Sequence, residues 1–138
     1  MEWMLMPYRR YFDFAGRSRR KEYWMFVLLF VIVYAVGLGL MVSGGFAFDE
    51  GTQAEPGIGF ILGAAIMGIF VLGSIIPAIA VQVRRFHDQD RSGWFVLLNF
   101  IPYLGGLIVL VFMFLEGTRG PNRFGPDPKD PASVNVFS

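Results

Sequence analysis

Three long apolar runs without a single Asp, Glu, Lys or Arg constrain this chain more than any other feature. Tyr23–Val42 is 20 residues without a charge, Ile58–Val83 is 26 and Trp94–Leu115 is 22. A helix of 20 residues is about 30 Å long, the thickness of bilayer hydrocarbon. Charged residues make up 17% of the sequence, against about 25% in an ordinary soluble domain. They are also clustered, so the deficit falls in the runs. A cleaved leader has an apolar region of only about 7–15 residues, so the first run reads as a span.

The runs differ in character. Tyr23 and Trp24 anchor the first at its basic end. The second has Gln82 as its only strongly polar side chain and contains Gly59-x-x-x-Gly63 and Ala64-x-x-x-Gly68, a spacing that lets another helix approach closely. The residues do not say whether that helix is internal or belongs to another copy. Pro77 predicts a kink. The third run is interrupted by Asn99, Pro102 and Gly105-Gly106. A straight but broken span is its first reading, because neighbours can satisfy the freed backbone groups. A re-entrant hairpin turning near Pro102–Gly106 is the alternative.

Charge asymmetry orients the spans. Arg9, Arg10, Arg17, Arg19, Arg20 and Lys21 precede the first run, residues 43–57 hold no Lys or Arg, and residues 84–93 hold Arg84, Arg85 and Arg91. The positive-inside rule therefore places the N-terminus and the 84–93 loop in the cytoplasm and the 43–57 loop outside. Arg119, Arg123 and Lys129 are balanced by Glu116, Asp127 and Asp130, which leaves the side of the tail open. Tyr8, Tyr11 and Phe12 fall at i, i+3 and i+4, the spacing of a short amphipathic helix lying in the interface. Ser18 is a candidate N-cap for the first span. The glycines and prolines from Gly117 to Pro131 predict turns rather than helix, and residues 129–138 are expected to be disordered.

Little here suggests catalysis. The chain has one histidine and no cysteine. The charged island Arg84–Trp94 contains His87 beside Asp88, with Asp90 and Ser92 near. Arg84 and Asp88 are four apart and could pair along a helix. A closed metal site needs about four ligands, usually richer in His or Cys. Ser92, His87 and Asp88 form a triad only on paper, with no nucleophile-elbow pattern around them. We therefore expect no catalytic residue, metal or cofactor. A net charge of +1 and a membrane-held loop do not suit nucleic acid. The basic residues suit anionic lipid headgroups, each contributing about 1 kcal/mol near such a surface. The spans carry no acidic or basic residue at mid-depth, so transport would need an oligomer.

Three motifs match a known pattern: Gly16-Arg-Ser-Arg-Arg-Lys-Glu-Tyr-Trp24, Arg84-Arg-Phe-His-Asp88 with Arg91-Ser-Gly-Trp94, and Gly120-Pro-Asn-Arg-Phe-Gly-Pro-Asp-Pro128. In order and spacing, over about residues 8–128, the chain resembles the bacterial inner-membrane family called domain of unknown function 805. The resemblance implies a small multi-pass inner-membrane protein and supplies no activity. It singles out Arg17, Arg19, Arg84, Arg85, His87, Asp88, Trp94, Asn122 and Arg123 among others as matching the family pattern. Polar motifs of this kind would most simply gather in one cluster, which favours the hairpin and a cytoplasmic tail.

The expectation is an all-α membrane protein. It is a small polytopic bundle with hydrophobic segments at about 23–42, 58–83 and 94–115, the third broken at Pro102–Gly106, and with an N-terminal interfacial helix. Residues 1–128 form a single integral domain. Its function is expected to be non-enzymatic, a scaffold or regulator acting through a basic cytoplasmic face; the alternative is a subunit of an oligomeric transporter or channel. The candidate lipid- or partner-binding residues are Arg17, Arg19, Arg20, Arg84, Arg85, His87, Asp88, Arg91, Trp94, Asn122 and Arg123. Expected partners are membrane lipids, anionic ones included, and a second copy or another membrane protein.

Overall fold

A computed structural model describes residues 1–44, 46–47 and 55–130. The described chain is mostly helical. In order come α1 (Glu2–Arg9), α2 (Arg20–Gly44), β1 (Phe46–Ala47), β2 (Glu55–Pro56), α3 (Ile58–Asp88), a 3-10 helix (Gly93–Phe100) and α4 (Leu104–Phe114). The expectation for residues 129–138 falls almost wholly outside the described residues. Two compact units are present, Val27–Ile75 and Met1–Phe26 with Ile76–Ser138.

Val27–Ile75 is an antiparallel pair of helical segments. Its close approach is built on glycine, which has no Cβ to hold two backbones apart. A Cβ on Gly63 would collide with the Gly37 carbonyl and lie 2.6 Å from Met41 Cγ. A Cβ on Gly59 would lie 2.6 Å from Gly44 Cα. So the Gly59-x-x-x-Gly63 face is a packing face, and its partner is internal. Gly68 and Gly73 have nothing within 4 Å of a Cβ, and the Ala64-x-x-x-Gly68 spacing makes no such contact. Phe30 and Phe70 meet edge to face at 4.8 Å. The loop expected between the spans contains a two-residue antiparallel pairing, Phe46 opposite Pro56 and Ala47 opposite Glu55.

Both long helices are apolar and largely uncovered. α2 and α3 are long and apolar enough to cross a membrane, with only 11% and 22% of their most apolar windows buried. Val31, Val36, Ile69 and Leu72 are all more than half exposed. A soluble core helix would have these side chains covered, and soluble proteins rarely expose so much contiguous apolar surface.

In the other unit the third apolar run doubles back instead of running straight. The 3-10 helix starts at Gly93, where a Cβ would lie 2.7 Å from Val83 Cγ1. The run ends at Leu115, whose carbonyl accepts from Arg85 Nη2 at 2.8 Å. Both ends therefore lie against the C-terminal turns of α3. The physical cause is local. Pro102 removes a backbone donor, and Tyr103 takes φ 64°, a left-handed conformation uncommon outside glycine. Gly105 then lets α4 fold tightly onto the 3-10 helix, because a Cβ there would overlap the Leu98 carbonyl. Phe86, Phe95 and Phe112 close the core of the hairpin, with ring centroids 5.7–6.1 Å apart.

Two local expectations are corrected. The N-terminal helix covers Glu2–Arg9, so Tyr11 and Phe12 lie beyond it and share no helical face with Tyr8. Pro7 is its buried residue, and Tyr8 packs on Phe26 at 5.5 Å. Ser18 does not cap α2, which begins at Arg20; its hydroxyl is committed elsewhere, as described next. α3 continues through Pro77, as a proline-kinked helix also does.

Candidate functional site

The polar motifs converge on the N-terminal end of α2 and the C-terminal end of α3. Five charged side chains there are buried: Arg17, Glu22, Arg84, Arg85 and Asp88. Burying a charge is costly unless it is paired and hydrogen-bonded, and these are.

Arg84 is fully buried. Its Nη2 donates to Glu22 Oε1 at 2.8 Å and its Nε to Ser18 Oγ at 3.2 Å. Its Nη1 donates to the carbonyls of Arg10 and Asp13. Ser18 closes the ring by donating from its hydroxyl to Glu22 Oε2 at 2.6 Å. The backbone is tied in as well, since Ser18 N donates to Arg84 O at 3.2 Å.

A second set gathers on Asp88. Arg85 Nη1 donates to Asp88 Oδ2 at 2.6 Å, and Arg17 Nε to Oδ1 at 3.0 Å. The expected pairing of Arg84 with Asp88 is therefore not made. Arg84 turns to Glu22 on α2, and Asp88 takes Arg85 three residues back on its own helix. Arg17 also reaches the tail, donating to the carbonyls of Gly120 at 2.7 Å and of Thr118. Thr118 N returns a bond to Asp88 O at 2.6 Å. Gly117 is required beside this group, because a Cβ would overlap the Asp88 carboxylate. In this set Arg85 Nε is buried without a partner among the described residues.

The island's other residues are also engaged. α3 ends in a Schellman-type cap, with Arg91 N bonded to Phe86 O at 2.8 Å, Asp90 N to His87 O at 3.0 Å and Asp90 at φ 56°. His87 Nδ1 is 3.0 Å from Gly16 O. A carbonyl only accepts, so Nδ1 carries the proton. The ring stacks on Phe124, centroids 4.0 Å apart and planes 6° from parallel. Asn122 Nδ2 donates to His87 O at 2.9 Å, and its Oδ1 accepts from Phe124 N. Asp90 pairs with Arg123 at 3.2 Å, both exposed. The three island groups with ligand or acid–base chemistry, His87, Asp88 and Asp90, thus face three different partners.

The remaining candidates scatter. Arg91 lies 4.7 Å from the Phe112 ring centroid, and Trp94 is exposed. Arg20 forms an exposed pair with Glu116 at 2.8 Å. Arg19 lies over the Trp3 ring and donates to Pro128 O. Asp13 turns back on Arg10 at 2.7 Å. Burial alone would raise its carboxyl, but that pair and the Ala15 amide hold it below the ordinary value. Asp127 accepts from Lys129 N and Gly120 N, both at 2.9 Å. The Lys129 amide first, then Gly120, hold its carboxyl below the usual aspartate value.

Glu22 was not singled out from the sequence, and Ser18 only as a candidate N-cap. Their four-residue spacing is the one signal that marks them, a hydroxyl placed to reach a carboxylate one helical turn on.

Two uncovered helices of membrane length, with an ion-paired cluster at their polar ends, define a helical membrane protein. The chain belongs to the family described as protein of unknown function (DUF805), whose profile matches residues 11–126. It is 47% identical over 131 residues to Inner membrane protein YhaH of Escherichia coli (strain K12), covering 94% of this chain and 98% of that one. It is 41% identical over 129 residues to Inner membrane protein YhaI of the same organism, covering 94% and 97%. No solved structure matches the chain. The relatives' names and the apolar helices together support the inner membrane as its location.

Proposed function

We propose that this protein is a non-enzymatic scaffold or regulator in the inner membrane, acting through a basic cytoplasmic face. In this reading residues 23–42 and 58–83 span the bilayer. The 94–115 run dips in and returns, and α1 lies in the interface. The N-terminus, the 84–93 loop and the tail then share the cytoplasmic side.

The observation that carries the reading is the mutual pairing of four buried charged side chains in the cluster. Arg17, Arg84, Glu22 and Asp88 spend their polar atoms on one another and on backbone carbonyls. A general acid, base or nucleophile needs a group within reach of a substrate atom. A cross-linked platform suits docking instead. Native mass spectrometry of the full chain extracted with lipid tests this: a monomer or a hetero-complex agrees with it.

The alternative, a subunit of an oligomeric transporter or channel, draws on the open face of α3 at Gly68 and Gly73. A stable homo-oligomer in the same experiment would favour it. A His87→Ala variant with normal abundance and topology but a lost pH-dependent phenotype would contradict the non-enzymatic reading.

A further inference from the structure

The cleft between α1 and the segment leading into α2 has a cavity of about 370 Å³. Trp3 and Met6 form its apolar wall, and Arg10, Arg17, Arg19 and Glu22 its polar one. The charges there are not equivalent. Glu22 is neutralised, since both oxygens accept from Arg84 and Ser18. Arg17 is held by Asp88 and Arg10 by Asp13. Arg19 has no carboxylate partner among the described residues: its Nε is tied to Pro128 O, which leaves its two terminal nitrogens to point donors elsewhere. Its guanidinium lies 5.6 Å from the Trp3 ring centroid, and Lys21 Nζ, also without a carboxylate, lies 5.3 Å from the same ring. Arg19 in the cleft and Lys21 beside it therefore gather an excess of positive charge around one indole.

The surrounding surface indicates where that charge is used. Leu5, Phe12 and Phe14 are exposed around the same segment. Apolar side chains beside unpaired cations are the pattern of a segment seated at the headgroup level of a bilayer. Guanidinium donors match phosphate oxygens in geometry, and indole favours the same depth.

We propose that this cleft binds the phosphate of an anionic phospholipid of the cytoplasmic leaflet, with Arg19 and Lys21 contacting the phosphate oxygens and Trp3 and Met6 lying along the upper acyl region. The proposal rests on the cytoplasmic placement of this face and adds a ligand to it.

The test is native mass spectrometry of the full chain in detergent, titrated with phosphatidylglycerol, phosphatidylcholine or soluble glycerol 3-phosphate. Phosphatidylglycerol is retained over phosphatidylcholine. The double change Arg19→Gln and Lys21→Gln lowers its retention on the order of tenfold. The charge-preserving pair Arg19→Lys and Lys21→Arg keeps it, and so does Arg119→Gln, which removes an exposed charge outside the cleft. Equal retention of both lipids overturns the proposal. An equal loss with Arg119→Gln does the same, because it would signal undirected attraction. Full competition by glycerol 3-phosphate also overturns it, in favour of a soluble anion. In cells producing the same chain, Ala15→Cys labelled only from the cytoplasmic side shows that the placement stands even where the lipid site fails.

Discussion

Arg84 and Glu22 sit 62 residues apart in the chain and meet at 2.8 Å with both side chains almost wholly buried. The pair joins the last turns of α3 to the first turn of α2, and Ser18 bonds both partners. Removing one member strands the other charge, at a cost of roughly 3–5 kcal/mol. Arg84→Ala and Glu22→Ala should therefore each lower the thermal midpoint in detergent and the steady-state abundance. Replacing both together by Met should cost less than the sum. Arg84→Lys should not restore the wild type, because one ammonium does not supply the guanidinium's separate bonds to Glu22, Ser18 and two carbonyls.

The glycine faces of α3 make opposite predictions about one and a half turns apart. Gly63→Val forces a branched side chain against the Gly37 carbonyl and should cost about 1–3 kcal/mol or more by overpacking. Gly68→Ala meets open space and should leave the thermal midpoint unchanged or slightly raised. A comparison of the two melting curves checks both.

His87 ties the tail to an N-terminal segment. Losing its bond to Gly16 O and its stack on Phe124 should cost about 1–2 kcal/mol. His87→Ala should therefore loosen the Asn122–Gly125 turn, read as faster proteolysis at Arg123. His87→Gln, which keeps a donor, should recover part of the protection.

The tail should detach in acid through Asp127. Its carboxyl is held below the ordinary aspartate value of 3.8, so it contributes stability that is fully present above that value. The contribution is lost as pH falls through the lowered folded value. Protection of the Lys129 bond from a protease active across this range should hold from neutral pH down to the ordinary aspartate value and decline below it. Asp127→Asn should flatten that dependence.

How much of this was readable from residues follows a physical division. Hydropathy is a local property, so the two long helices were visible as Tyr23–Val42 and Ile58–Val83. The Gly59-x-x-x-Gly63 face was visible because a missing side chain is itself the signal. Ion pairing is not local. Arg84 had Asp88 four residues on, yet Glu22, brought in by the fold, offered a better-hydrogen-bonded site with Ser18. The helix at the N-terminus was displaced because Tyr8, Tyr11 and Phe12 share a helical spacing that the chain abandons at Arg10. In the third run the break was visible at Pro102, but its outcome was set by Gly105 against the Leu98 carbonyl and by Arg85 on the Leu115 carbonyl, contacts that no spacing records.

The doubling back of residues 94–115 brings the tail to Arg17 and Asp88. The chain has no native cysteine, so single cysteines can be placed without background. The most direct measurement is labelling of Arg119→Cys in intact cells and in inverted membrane vesicles with a membrane-impermeant maleimide. Ala15→Cys and Thr52→Cys serve as markers for the two sides. Arg119→Cys is expected to be labelled in inverted vesicles, as Ala15→Cys is, and to stay unlabelled in intact cells. Labelling of Arg119→Cys from outside, together with Thr52→Cys, would contradict it.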